Sequence, residues 1–204
     1  MRRFSLNKKT HRIFAEILLQ HLSEEYGIFL NRPGFILGSI APDLTLSFVI
    51  KPHERQTASD HVKKRIQRLG TGKPLKDPVV GFILSEQLGA LCHYCADFFC
   101  EAHTPRYSGN VHEHWQYEKA LGYYCRLNRR ELTARVQLPK SFESSDPKQI
   151  FEDLEKMNDL YLKGEATFSS QAEGALNVCL NIVGKIMMAR CDTFLEALPE
   201  WSVG

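Results

Sequence analysis

Apolar residues recur along most of this chain at the 3.6-residue spacing of an amphipathic helix. Ile13, Phe14, Ile17, Leu18, Leu22 and Tyr26 form the first stripe, with Thr10 placed as its N-cap and Gly27 as its stop. Val62, Ile66 and Leu69 before Gly70 predict a second, shorter helix. Asp77-Pro78 then offers a cap followed by proline at a first helical position. From there Val79, Phe82, Ile83, Leu88, Leu91, Phe98 and Phe99 predict a long helix that Thr104-Pro105 must end. A fourth helix runs from about Val111 into Arg126, and a fifth opens at Asp146-Pro147 and ends at Gly164. Ser169 or Ser170 caps the last, whose stripe is Leu176, Cys179, Val183, Ile186 and Ala189. The segments from Phe29 to Pro52 and from Leu127 to Ser145 lack this period, although their hydrophobicity predicts that they are packed. Within the first, Leu44 to Ile50 is too short to assign between strand and buried loop.

No repeat, low-complexity tract or Gly-Ser linker divides the pattern. It predicts an all-α fold, a single multi-helix bundle domain over residues 1–204. With 43% hydrophobic and 25% charged residues in 204, the chain can bury a core without disulfides. Its apolar runs break before the roughly 18 residues of a membrane span: at Pro42 and Asp43 after Ile36, and at Asn177, Asn181 and Lys185 after Ala175. No integral membrane segment is therefore expected. The basic stretch from Met1 to Arg12 leads into no apolar signal region and cleavage site, so the expected location is cytoplasmic and the six cysteines are expected to stay reduced. A formal charge of +2 argues neither for nucleic acid, which is not an expected partner, nor for a polybasic membrane anchor.

The informative residue type is histidine, of which there are eight. His93 and Asp97 stand four residues apart on the long helix, so an imidazole and a carboxylate leave one face a turn apart, where both can close on one cation. His114 and Glu118 repeat the arrangement on the next helix, and His103 lies where the chain turns back between the two. One such pair alone reads as a surface hydrogen-bonded pair. His93 and Asp97 differ because Leu91, Tyr94, Phe98 and Phe99 surround them on a helix apolar nearly all round. A lone carboxylate there is costly, and a compensating cation explains it better. Other motifs fail: there is no HExxH, no His-Asp dyad, no phosphate loop and no Rossmann glycine pattern, and Cys92-His93-Tyr94-Cys95 reads as core packing rather than a thiolate site.

Three stretches together resemble one family. GSIAPDL around Asp43, LGALCHYCADFFCEAH ending at His103 and HEHWQYE ending at Glu118 look like the zinc-dependent phospholipases C, relatives of the S1/P1 nucleases. The resemblance covers roughly residues 10 to 120. It implies an all-helical phospholipase C/P1-type fold and a di- or trinuclear zinc centre of two to three ions that hydrolyses phosphoric esters. By that resemblance Asp43, His53, His93 and Asp97 match the ligands of one zinc, and Asp97 bridges to a neighbouring ion that also takes His11. His103, His114 and Glu118 match the ligands of the remaining ion. His53 is preferred to His61, and His114 to His112; His21, His61 and His112 read as surface or second-sphere residues. His11 falls on the Phe14, Leu18, Leu22 stripe and points inward.

The resemblance implies a metal-dependent phosphodiesterase, phospholipase C-like, acting on a small phosphate ester or a phospholipid headgroup, with Asp43 holding the attacking water. Secreted members also use the amine and carbonyl of an N-terminal tryptophan, whereas this chain has Met1 and ten residues ahead of His11, so the ion at His11 is expected to be the most weakly held. Zinc is favoured because five of the eight candidate ligands are histidine, and iron, manganese or nickel would also accept the set. Two alternatives stand beside the hydrolase: a metal-binding or sensing protein without turnover, and an S1/P1-like nuclease with Tyr107, Trp115 or Tyr123 as stacking residues.

Overall fold

The structure is a computed structural model and describes residues 8–44, 54–73, 75, 79–139 and 146–190. The described chain folds into eight α-helices: α1 (Lys8–Tyr26), α2 (Arg32–Ile40), α3 (Arg55–Gly70), α4 (Phe82–Asp97), α5 (Val111–Leu127), α6 (Arg129–Arg135), α7 (Pro147–Lys163) and α8 (Phe168–Arg190). Strand among these residues is confined to a parallel pair, β1 (Phe29–Leu30) with β2 (Val79–Val80), in the register Phe29 to Val79 and Leu30 to Val80. The fold is all-α.

Helix α4 is the centre of the packing because its sequence has no polar side: every residue from Leu88 to Asp97 is buried. Helix α8 lies against it with Leu176, Cys179, Val183 and Ile186 inward, and also touches α1, α3, α6 and α7. Each such Leu, Ile or Val contributes about 1.5–3 kcal/mol of burial. That gain is what can offset the cost of enclosing His93 and Asp97 in the same helix.

On the other side of α4, α2 approaches backbone to backbone through glycines. A Cβ on Gly38 would fall 1.9 Å from the Glu86 carbonyl oxygen, and one on Gly89 would fall 2.2 Å from that of Phe35. No side chain fits either position, so the two helices are locked at glycine spacing. Asn31 caps α2 by accepting a hydrogen bond from the Gly34 amide, and Ser85 Oγ on α4 accepts one from the Asn31 amide while donating to the Val80 carbonyl.

Several boundaries differ from the sequence reading. Helix α1 is already helical at Lys8, so Thr10 is an interior, buried residue and not the cap, while Gly27 does end the helix with φ 61°. Val79 and Val80 pair with β1 instead of opening the long helix, which starts at Phe82 and stops at Asp97. A 3₁₀ turn (Glu101–His103) then leads to Thr104-Pro105. Helix α8 starts at Phe168, and its cap is Thr167, which exchanges amide-to-hydroxyl hydrogen bonds with Ser170. Helices α2 and α6 fall inside the two segments that showed no period. Asp77-Pro78 and residues 45–53 lie outside the described residues.

The five described cysteines, Cys92, Cys95, Cys100, Cys125 and Cys179, are buried free thiols. Burial raises the pKa of Cys95, Cys100 and Cys179 well above the usual range and pushes that of Cys125 up to about 12.

Candidate metal centre

Two clusters of imidazoles and carboxylates form around α4. In the inner one, α4 supplies His93 and Asp97, α1 supplies His11 from its first turns, and the short 3₁₀ turn Ala41–Asp43 after α2 supplies Asp43. The glycine contact between α2 and α4 sets how far Asp43 stands from His93. His93 Nε2 lies 3.3 Å from Asp43 Oδ1 and 3.4 Å from Asp97 Oδ2, and His11 Nε2 lies 3.3 Å from Asp97 Oδ1. Asp97 therefore turns one oxygen to each imidazole. The rings of His11 and His93 stack at 4.0 Å between centroids. His93 and Asp97 are 0% exposed and His11 2%.

The tautomer of His93 follows from its neighbour. Nδ1 lies 3.0 Å from the Ser39 carbonyl oxygen, which can only accept, so Nδ1 carries a proton and Nε2 is the ring atom turned to the carboxylates, free to give its lone pair to a cation there. This is how metal-binding histidines are oriented by an outer partner.

The donors fit zinc on two counts. His11 Nε2 is buried and makes no aligned hydrogen bond, as expected of a ligand atom. Bond lengths of about 2.0–2.2 Å in a tetrahedron place neighbouring ligand atoms about 3.3–3.6 Å apart, a range that includes these three contacts.

The outer cluster joins the 3₁₀ turn before α5 to α5 itself. His103 Nε2 and His114 Nε2 both donate to Glu118 Oε1, at 3.1 and 3.0 Å. His103 and Glu118 are buried, whereas His114 is partly open. Polar residues of α7 and α8 hold the turn: Asn158 donates to the Phe98 carbonyl oxygen, and Gln171 accepts from the Glu101 amide while donating to the Tyr117 hydroxyl. Sequence reading missed both. Their signal was a polar residue on an apolar stripe, Asn158 between Leu154 and Tyr161, and Gln171 before Ala172 and Ala175.

Electrostatics couples the two clusters. Burial lowers the pKa of His11 and of His103, but Asp97, aided by Asp43 and Glu118, reverses this and leaves both raised. Burial raises the pKa of Asp97, and His93, His103 and His11 bring it well below the carboxylate range. The site holds a concentrated set of charges in a dry interior, which a divalent cation balances as readily as protons do.

Of the eight expected ligands, His11, Asp43 and His93 form one group with Asp97 against both histidines, and His103, His114 and Glu118 form another, while His53 lies outside the described residues. His11 stands with Asp43 and His93 in a single group, all three ligand atoms within 4.8 Å of one another, as well as against Asp97. His61 accepts from Arg65 Nε, and His112 pairs with Gln116 on the surface of α5. His21 differs from its surface reading: it is buried, and its Nε2 donates to the Thr133 carbonyl oxygen, tying α1 to α6.

A cleft of about 640 Å³ opens onto the outer cluster, lined by His103 and His114 with Thr104, Tyr107, Arg55 and Leu162. Arg55 does not offer a bare charge to it, since Glu155, Asn158 and Asp159 take its guanidinium.

A family model described as zinc dependent phospholipase C matches residues 10–168. No curated protein and no solved structure gives a significant match. The matched span contains both clusters.

Proposed function

The chain belongs to the zinc dependent phospholipase C family, and from that premise we propose that it is a zinc-dependent phosphoric ester hydrolase, cleaving a phosphodiester of phospholipid-headgroup size. The observation that carries the reading is the pair of imidazole–carboxylate clusters, one of them open to a cleft. His11, Asp43, His93 and Asp97 would hold one or two ions, with His53 as a further ligand, and His103, His114 and Glu118 another. Bound zinc supplies Lewis acidity toward phosphoryl oxygens and neutralises the charge that grows on them in the transition state.

The chain's own residues do the positioning. The Ser39 carbonyl keeps the Nδ1 proton on His93 and its Nε2 aimed at the centre. Asn158 and Gln171 keep the 3₁₀ turn in place, so that His103 reaches Glu118. Tyr107 and Leu162 give the cleft an apolar wall for the organic part of the ester, and Thr104 offers a hydroxyl near its polar end. Asp43 is the inner carboxylate with some exposure, its side chain at 7%, and in this proposal it accepts the proton of the attacking water.

The test joins elemental analysis to a substrate panel. Zinc-loaded protein is expected to hold at least two ions per chain and to hydrolyse bis-p-nitrophenyl phosphate or phosphatidylcholine. Asp97→Asn is expected to lose at least one ion, and Asp43→Asn to lose turnover with helical circular dichroism retained. A metal-loaded parent inactive on every ester would leave a metal centre without turnover, a reading favoured by the complete burial of His93 and Asp97.

A further inference from the structure

Helix α5 has two working sides. His114, Glu118, Leu121 and Cys125 face inward. About a third of a turn away, Val111, Trp115, Lys119, Tyr123 and Arg126 share an outward face. Trp115 is 41% exposed and Tyr123 57%. Large aromatics left in water on one helix face are a cost that a folded protein ordinarily avoids.

The cations on this face accompany the rings. Lys119 Nζ stands 5.0 Å from the Trp115 ring centroid, and the Arg126 guanidinium 5.2 Å from that of Tyr123. With Lys9 and Ile13 of α1, these residues line a groove of about 770 Å³. Among the described residues, no acidic side chain lines the groove, whose charged members are Lys9, Lys119 and Arg126. Glu113 binds the Asn110 amide, Glu131 pairs with Arg135, and Glu16 is shared by Arg12, Arg32 and Arg129. The surface is therefore aromatic and net positive, although the chain as a whole is close to neutral.

We propose that this face of α5 seats the protein on an anionic lipid bilayer. Indole and phenol rings have an apolar body and a polar tip suited to the headgroup boundary, and neighbouring Lys and Arg meet the phosphates there. A protein interface can bury such rings too, so a second copy of the chain is the rival occupant that the experiment separates from lipid. The face begins one residue along α5 from His114, which lines the cleft. The inference goes beyond the hydrolase reading and is measured without turnover.

The experiment is co-sedimentation of the full chain with vesicles of phosphatidylcholine alone or mixed with phosphatidylglycerol, with chelator present. Mixed vesicles are expected to bind the protein, and high salt to release it. Trp115→Ala/Tyr123→Ala and, separately, Lys119→Glu/Arg126→Glu should each weaken binding by about tenfold or more, with helical circular dichroism and hydrolysis of soluble bis-p-nitrophenyl phosphate unchanged. In a Trp201→Phe background, Trp115 emission should shift to the blue on binding. The proposal is overturned if the parent ignores anionic vesicles, or if both double variants bind like the parent. It is also overturned if sedimentation shows a dimer that these variants abolish while vesicles are not bound, which would make a second copy the occupant. Failure of the hydrolase reading appears separately, as a zinc-loaded parent inactive on the soluble ester.

Discussion

Asp153 and Lys185 show how a single contact joins two helices. The Lys185 ammonium, largely buried on α8, lies 2.5 Å from Asp153 Oδ2 on α7. Burial raises the pKa of Asp153, but the hydrogen bonds from Lys185 and Gln149 outweigh it and hold the carboxyl below its ordinary range. A carboxyl with a depressed folded pKa contributes stability above its unfolded pKa and loses it as pH falls through the folded one. Lys185→Met is therefore expected to cost about 1 kcal/mol near neutral pH, a drop of a few degrees in melting temperature. That gap between parent and variant should narrow as pH is lowered below about 4. A gap that persists unchanged into acid would assign the loss to packing of the lysine stem.

Among the helices, the most sensitive contact is the one between α2 and α4. Gly38→Ala puts a methyl group against the Glu86 carbonyl, a clash with backbone that a rotamer change cannot relieve. The expected cost is about 3 kcal/mol or more, seen as a fall in the denaturation midpoint, together with weakened zinc binding because Asp43 follows α2. Gly81→Ala is the control: nothing lies within 4 Å of its Cβ, so its midpoint should stay close to the parent's.

Helix legibility followed the same logic. Helices α1, α5 and α7 could be read from period and from Gly27, Asp146 and Pro147. Helix α2 could not, because it is only nine residues long and Gly34 and Gly38 argue against helix. Its glycines are there for the close approach, which a single sequence does not display. Within the candidate site, the i, i+4 spacing placed His93 beside Asp97 and His114 beside Glu118. The approach of Asp43 to His93 depends on how α2 packs, and spacing along the chain carries no trace of it. His21 misled for the opposite reason, since its partner is a backbone carbonyl on α6.

Taken as a whole, the fold gathers its candidate ligands from α1, the turn after α2, α4, the turn before α5 and α5, so bound metal would cross-link most of the molecule. Binding that exists only in the folded state adds to stability. Stripping zinc with a chelator is expected to lower the melting temperature by about 10 °C or more, given a shift of roughly 2–4 °C per kcal/mol for a chain of this size, and zinc in excess should restore it. Equal melting temperatures with and without chelator would mean that protons alone balance the charges of the two clusters.

The buried cysteines add a condition on the way back. In the folded chain the described thiols are enclosed, and burial keeps the four with raised pKa in the protonated form, unable to oxidise or to compete for zinc. Opening the chain returns them to ordinary acidity in water at the moment when its metal is released. An unfolded molecule in air can then form wrong disulfides, or trap zinc on thiolates before the histidines regain it. Recovery after heating is thus governed by redox conditions as much as by temperature: reductant during the scan should make the transition reversible, and its absence should make the protein's endurance a matter of time spent open.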